Sequence, residues 1–476
     1  SDVPNSAITP ITFTHTINGD TSSPAWTTGV SASSSQVIDG SFTHGNDIAQ
    51  GPNGAMAIVG YEATSDDMKL AYYYDGSWTT SVIQNSATPL EYPSVGIDSN
   101  GVVHIVYLDM TNDVLRYATN LSGTWQVSDI DTTTTSVLNL ASGRIPGTDL
   151  AIDSTDNLHI VFSNKDPSGV YHSINYTTNQ GGTWTSVAIS HPTRGALDPA
   201  IALDSNDKVH VSYYRDTGSD LIYATNEGGT WTRELVESTN NVGKYSSIAV
   251  DYNDVVHISY VKADTNNDLK LASGNSGSFS ISTVQNNQEV EYTSIAADSN
   301  GDLHIVYGKA SFASNYILEY ITNHSGSWNK LSLSSDGANS CSISIDSNDD
   351  IHISHSDVAV NSELEYATAS GSGKGVKQHT TWEISPALPD GLHMNWRSGT
   401  ISGTPTSIYS NTTHTISATI SGNTVSTTIY LEFQVDAPEI SYAQNDLTLT
   451  KGTAMGAVSP TNNGGAANSW AISPSF

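Results

Sequence analysis

The sequence predicts an all-β protein whose main body is a seven-bladed β-propeller. Two observations predict it. A ten-residue motif recurs at a near-constant period. Each copy is followed by stretches of alternating apolar and polar residues set between Asn, Gly, Ser and Asp turns. The clearest copy is DSNGVVHIVY, with Asp98 and His104 six residues apart. The others are DSTDNLHIVF (Asp153, His159), DSNDKVHVSY (Asp204, His210), DYNDVVHISY (Asp251, His257), DSNGDLHIVY (Asp298, His304) and DSNDDIHISH (Asp346, His352). Successive acids lie 47 to 55 residues apart. A worn copy, GPNGAMAIVGY, has Gly51 and Ala57 in place of the acid and histidine and brings the number to seven.

Each copy reads as four strands. In the second these are YPSVGID, VVHIVY, LRYATN and TWQVSDI, each with the two-residue period of a half-buried strand. Four strands per 47 to 55 residues, seven times over, is the pattern of a propeller. The seventh copy runs through LEYATASGSG without a fourth, Trp-bearing strand. The N-terminal SPAWTTGVSA matches GSWTTSVIQN of copy one, so Trp26 to Ala32 is expected to complete blade seven and fasten the ring. Residues 1–23 then form an N-terminal extension, and the propeller covers 24–373.

The turn before the fourth strand carries a second motif: NLSGTW at Asn120, NQGGTW at Asn179, NEGGTW at Asn226 and NHSGSW at Asn323. It resembles the Asp-box of sialidase-type (BNR) propellers, S/T-x-D-x-G-x-T-W. Thr177 to Trp184 fits best, with Asn where that family has Asp. The resemblance implies a folding turn remote from any active site. After SGSGKG the texture changes. LPDGL and SGTISGTPT resemble the immunoglobulin-like modules that occur in tandem in large prokaryotic surface proteins. One such β-sandwich module is expected over 374–437, and 438–476 reads as the start of a second. SWAISPSF repeats TWEISPAL, so the natural chain is expected to continue.

At 476 residues, more than one core is expected. A net charge of −31, from 48 acids against 17 Lys and Arg, argues against nucleic acid and anionic membrane as partners. No apolar run is long enough for a membrane helix, so no direct membrane insertion is expected. The single cysteine, Cys341, excludes an intrachain disulfide and reads as a small buried hydrophobe. The Thr-, Ser-, Asn- and Gly-rich composition and the surface-protein modules point to a secreted or cell-surface location. Four sequons, at Asn120, Asn175, Asn323 and Asn411, occur at about the frequency such a composition produces.

The six Asp/His pairs are expected to be structural. Catalysis needs a pair once, and a pair present in every blade serves the blade. A buried imidazole must find a hydrogen-bond partner, and the acid supplies one. No cofactor is required. The D-x-N-x-D spacing of Asp298–Asp302 and Asp346–Asp350 is that of a calcium loop, which leaves a structural calcium open and the metal unknown.

The residues that differ between blades are more informative about function. The loop following the second strand holds Glu62, Asp109, Lys165, Arg215, Lys262, Lys309 and Asp357 in blades one to seven. Loops entering blades three to five add Arg144, Arg194 and Lys244. Seven of the 17 basic residues therefore fall on one face of an acidic chain. With Tyr214, His191 and Phe312 nearby, they are candidates for binding an anionic ligand, Arg by a forked hydrogen bond and Lys as a point charge. The expected ligand-binding set is Arg144, Lys165, Arg194, Tyr214, Arg215, Lys244, Lys262 and Lys309. The leading expectation is a binding or adhesion protein whose partner is an extracellular glycan or polymer, or another surface protein. The alternatives are a polysaccharide-degrading enzyme and a structural unit of a surface filament or coat. A lyase needs a cation beside a proton acceptor, and Arg215 with Tyr214 or Arg194 with His191 supplies those residue types. GRIPG at Arg144 resembles the R-I-P signature of sialidases, without an assignable Tyr/Glu pair, so no catalytic residue is assigned.

Overall fold

The computed structural model describes residues 36–39, 44–62, 65–86, 89–112, 114–131, 147–165, 172–264, 267–286, 289–310, 316–324, 326–334, 340–357 and 363–369 of the repeat region. Further on it describes 381–389, 392–394, 401–403, 409–420, 423–433, 440–441 and 461–462. The chain divides into two units, with the boundary between Gln378 and His379.

The repeat unit is a seven-bladed propeller. Every blade is a four-stranded antiparallel sheet, and in blades one to six the strands follow chain order. Blade one comprises His44–Gln50, Met56–Glu62, Asp67–Tyr74 and Ser77–Gln84. Blade four comprises Ala196–Leu203, Val209–Arg215, Asp220–Thr225 and Thr232–Glu237. Blade six comprises Val290–Ala297, Leu303–Ala310, Tyr316–Thr322 and Asn329–Ser334. The first strand of each blade touches the first strand of the next all the way round, blade seven against blade one included.

The core follows from this stacking. Both faces of a blade are apolar, and each packs on a neighbour as two sheets pack face to face. Among the described residues of this unit the buried side chains form seven clusters, and each cluster joins two successive blades. Val59 and Leu70 of blade one pack with Val95 and Ile105 of blade two. Leu364 and Tyr366 of blade seven pack with Ile48 and Ile58 of blade one. Cys341 is buried in the cluster between blades six and seven, where burial pushes its thiol up to about 12. It is the packing residue expected from the sequence.

The N-terminal segment closes the ring, but its position differs from the sequence match. Gln36–Asp39 is the fourth strand of blade seven, with Gln36 opposite Tyr366 and Asp39 opposite Leu364. Ile38 packs into the cluster shared by blades seven and one, whereas Val37 is 48% exposed. Trp26 to Ala32, expected to fill this place, lies outside the described residues. In blade two, Leu115 pairs with Asp131, six residues after Trp125; in blade seven the equivalent Leu364 pairs with Asp39. The closing strand thus takes the same register on Leu364 that the fourth strand of blade two takes on Leu115.

The second unit is also all-β. Thr381–Ser385 pairs with Tyr409–Ile420, which pairs with Asn423–Phe433 in a three-stranded antiparallel sheet. Leu392–Met394 and Ile401–Gly403 make a short two-stranded ladder. Ile401, Ile416 and Leu431 are buried, and the Nδ1 of buried His414 lies 2.8 Å from the carbonyl of Pro386. No helix among the described residues is long and apolar enough to cross a membrane.

Candidate functional site

The repeated Asp/His pairs sit where a blade meets its neighbour. Asp98 opens a tight turn and accepts the backbone N–H groups of Asn100 and Val102 on one oxygen, at 2.9 and 2.7 Å. Its other oxygen faces His104 Nε2 at 3.5 Å, and His104 Nδ1 meets the Tyr117 hydroxyl at 2.7 Å. The same relay runs Asp153–His159–Tyr176, Asp204–His210–Tyr223, Asp298–His304–Tyr320 and Asp346–His352–Tyr366. In blade five Ser273 replaces the tyrosine behind Asp251–His257. Burial lowers the pKa of His104, His210 and His257 and keeps them neutral. Burial alone would raise the Asp153 carboxyl. Hydrogen bonds from His159, Asn157 and Thr155 together outweigh it and hold the group well below the usual carboxylate range.

The relay tyrosine then meets the aromatic residue of the next blade's turn. Tyr117 packs edge-on against Trp184, Tyr176 against Trp231, Tyr223 against Phe279 and Tyr366 against Trp78, at 5.0 to 5.4 Å between centroids. In the box motif the leading Asn caps the second strand. Asn120, Asn179, Asn226 and Asn323 accept the N–H of Val103, Leu158, Val209 and Leu303 at 2.7 to 2.9 Å. Asp98, Asp153, Asp204, Asp251, Asp298 and Asp346 thus each bring the turn before the second strand up to a histidine of that strand.

A second joint between blades was not read from the sequence. The Ser after the motif acid donates, by its N–H and its hydroxyl, to an Asp in the turn of the following blade. The pairs are Ser99–Asp156, Ser154–Asp207, Ser205–Asp254 and Ser299–Asp349, at 2.6 to 3.0 Å. Each acceptor Asp has φ between 59° and 62°. Where the first residue is not Ser, the second is Gly: Pro52 faces Gly101, and Tyr252 faces Gly301.

The first strands carry acids into the centre. Asp47 and Asp149 are bridged by the Ser94 hydroxyl, at 2.9 and 3.3 Å, and each also accepts a backbone N–H of another blade, from Val95 and Ile201. Asp198 accepts the N–H groups of Tyr245 and Ser246, and its Oδ2 is buried without a hydrogen bond. Burial pushes Asp149 and Asp198 up to about 7, Asp149 with the added charge of Asp47.

The candidate ligand residues do not meet at one point. Arg144 lies outside the described residues, and of Lys165 only the backbone, at the end of Leu158–Lys165, is described. Lys262 is taken up by Asp264 and Asp268, at 2.5 and 3.7 Å. Lys309 lies one residue before the end of the second strand of blade six, opposite Val290. Tyr214 and Arg215 are neighbours on one strand and so face opposite sides of the blade. The Tyr214 hydroxyl donates to Asn241 at 2.9 Å, and Lys244 lies 5.8 Å from its ring centre, on the blade-five side.

Arg194 and Arg215 do come together, on the blade-three side. They line a cleft of about 180 Å³ with His191, Tyr213, Ile222, Arg233 and Leu235. Tyr213 and Ile222 are buried and form an apolar floor, while Leu235 is 48% exposed. Arg215 donates to Asp220, through Nε at 2.6 Å and through Nη2. The loop bearing Arg194 is held by its backbone: Thr217 Oγ1 donates to the Arg194 carbonyl at 2.6 Å, and Asp216 N–H to that of Gly195 at 3.0 Å. The side chains of Arg194 and Arg233 have no acidic partner among the described residues. Glu234, between Arg233 and Leu235, also lines the cleft, and its carboxylate is engaged by the N–H of Gly277 at 2.7 Å. Thr193 N–H donates to His191 Nδ1 at 3.2 Å, which leaves Nε2 as the donor of the neutral ring. Arg233 was missed in the sequence because it sits inside an outer strand, outside the variable loops.

Residues 345–435 match the protein family described as "Putative Ig domain". The match begins within blade seven, whose strands Ile351–Asp357 and Glu363–Ala369 it includes, and extends through the second unit's three-stranded sheet. No curated protein matches the chain. Among solved structures, the chain is similar to an ulvan lyase of a new polysaccharide lyase family, at 12% identity over 71% of this chain and 96% of that one, with a TM-score of 0.49. It is similar to the Aleuria aurantia lectin at 13% identity over 63% and 98%, with a TM-score of 0.42. It is also similar to the Penicillium chrysogenum α-L-arabinanase at 14% identity over 59% and 93%, with a TM-score of 0.43.

Proposed function

We propose that the propeller is the binding domain of a secreted or cell-surface protein, and that its cleft between blades three and four takes an acidic sugar unit of an extracellular polymer. The observation that carries this is the pair of guanidinium groups without acidic partners among the described residues, Arg194 and Arg233, beside an apolar floor in a chain of net charge −31. In so acidic a protein an unneutralised cation is poised for an anion. At about 180 Å³ the cleft is smaller than the ~300–1,000 Å³ that encloses a whole small molecule. It suits one unit of a chain, with its carboxylate or sulfate on the arginines and its ring on Leu235 and Ile222. The immunoglobulin-like unit then serves as a spacer.

The placement of the two pairings considered for a lyase favours binding. Tyr214 faces away from Arg215, and the Nδ1 lone pair of His191 is taken by Thr193. Binding is tested by calorimetry with uronate and sulfated oligosaccharides. Arg194→Ala with Arg233→Ala is expected to weaken binding by more than about tenfold, since hydrogen bonds to charged groups contribute about 1.5–3 kcal/mol each. Raising the salt is expected to weaken it further. Equal affinity for neutral and acidic oligosaccharides, or an unaffected double variant, overturns the proposal.

A further inference from the structure

Blade six differs from the other blades at the turn where the motif begins. Four residues after the motif acid it has Asp302, and directly after the box Asn it has His324. These two positions face each other: Asp302 Oδ2 lies 2.8 Å from His324 Nδ1. In blade two they hold Val102 and Leu121, in blade three Asn157 and Gln180, in blade four Lys208 and Glu227, and in blade five Val255 and Ser276. Only in blade six, among these, do both residues carry metal-ligating atoms of the carboxylate and imidazole kind.

We propose that Asp298, Asp302 and His324 form a binding site for a borderline divalent cation such as Zn²⁺. One ligand atom from each lies within 4.8 Å of the other two. Asp298 spends one oxygen on the N–H groups of Asn300 and Asp302, at 2.8 and 2.9 Å, which fixes the carboxylate and aims Oδ2 at the site. His304 Nε2, 3.4 Å from that oxygen, orients it from behind, as outer partners orient the ligands of metal sites. The spot is short of positive charge. Burial and the charge of Asp298 both raise the Asp302 carboxyl, and Asp349 of blade seven, raised to about 6, adds a third acid close by. A bound cation relieves that crowding.

The donor set decides which cation. Calcium takes oxygen ligands only, whereas two carboxylates and an imidazole suit Zn²⁺ and its neighbours. Asp302 and His324 are half-buried, so water completes the shell from the open side. The ion ties the first turn of the blade to its third. This replaces the calcium expectation at Asp298–Asp302 with a nitrogen-containing site, and does not depend on what the cleft binds.

The test is calorimetric titration of the whole chain with ZnCl₂, with thermal unfolding and circular dichroism alongside. One Zn²⁺ per chain is expected, with a rise in Tm. His324→Gln and Asp302→Asn are each expected to lose more than about tenfold in affinity while keeping the native spectrum. Asp350→Asn, at the blade-seven turn, is expected to keep it. Cobalt bound in place of zinc is expected to give visible absorption bands that both variants lose, a readout independent of stability. Unchanged zinc affinity in both variants, or displacement of zinc by equimolar calcium, overturns the assignment.

Discussion

Asp198 shows how a single carboxylate sets the pH response of the fold. Its folded pKa is pushed up to about 7 by burial, although Tyr245 and Ser246 donate to it and Lys244 lies near enough to pull the other way. A raised folded pKa means that its contribution is fully present below the ordinary carboxylate range and is lost as pH rises through about 7. Asp149 behaves alike. Asp153 has the opposite sign: its contribution is present at neutral pH and is lost only as pH falls below the usual carboxylate range. The contribution of Asp149 and Asp198 is therefore expected to fall between pH 5 and pH 8, against an opposing rise from the buried histidines, whose lowered pKa favours higher pH. Asp198→Asn keeps an acceptor for the two N–H groups and places its amide where Oδ2 has no hydrogen bond. It is expected to raise stability at pH 8 relative to pH 5 by on the order of 1–2 kcal/mol. A variant with the wild-type pH slope would remove Asp198 from this account.

At the scale of the element, the joints between blades decide fit. Gly301 has φ +82, and a Cβ there would lie 3.0 and 3.3 Å from two carbons of the Tyr252 ring. Elsewhere an Asp occupies this position at nearly the same φ and receives two hydrogen bonds from Ser. Gly301→Asp alone is expected to destabilise the protein, and Tyr252→Ser alone to gain nothing. Together they build the missing Ser–Asp joint. A double-mutant cycle in urea is expected to show about 1 kcal/mol of favourable coupling. Additive effects would mean that Tyr252 and Gly301 do not touch. The sequence displays both members of every such pair, yet each pair spans 49 to 57 residues, and nothing local says that they meet. The Asp/His relay was legible because its spacing repeats within ten residues. The arginines of the cleft were only half legible. Counting along loops found Arg194 and Arg215, but the side of a strand on which a residue emerges, which separates Tyr214 from Arg215 and adds Arg233, depends on register.

At the scale of the whole molecule, the ring is held shut by Gln36–Asp39. Ile38 packs between blades seven and one, and Val37 faces outward. Ile38→Ala is expected to cost about 2 kcal/mol, while Val37→Ala stays within about 0.5 kcal/mol. Chemical denaturation checks both, and equal losses would mean that this strand does not complete blade seven. Seven blades and their four strands were legible from period and alternation. The closing strand among the described residues, Gln36–Asp39, lies later in the sequence than Trp26 to Ala32, the stretch that a shared tryptophan had marked and that lies outside the described residues.

The joints also impose an ordering rule on the blades. Blade five presents Tyr252 to its successor, and only a turn with Gly in the fourth place admits it. Blade three in that place would offer Asp156 to the ring, and blade six behind blade four would leave Ser205 with no carboxylate to meet. Duplicating or transposing a blade is therefore not neutral even though the sheets are alike. Any permuted version of this ring has to carry its keys along with its strands.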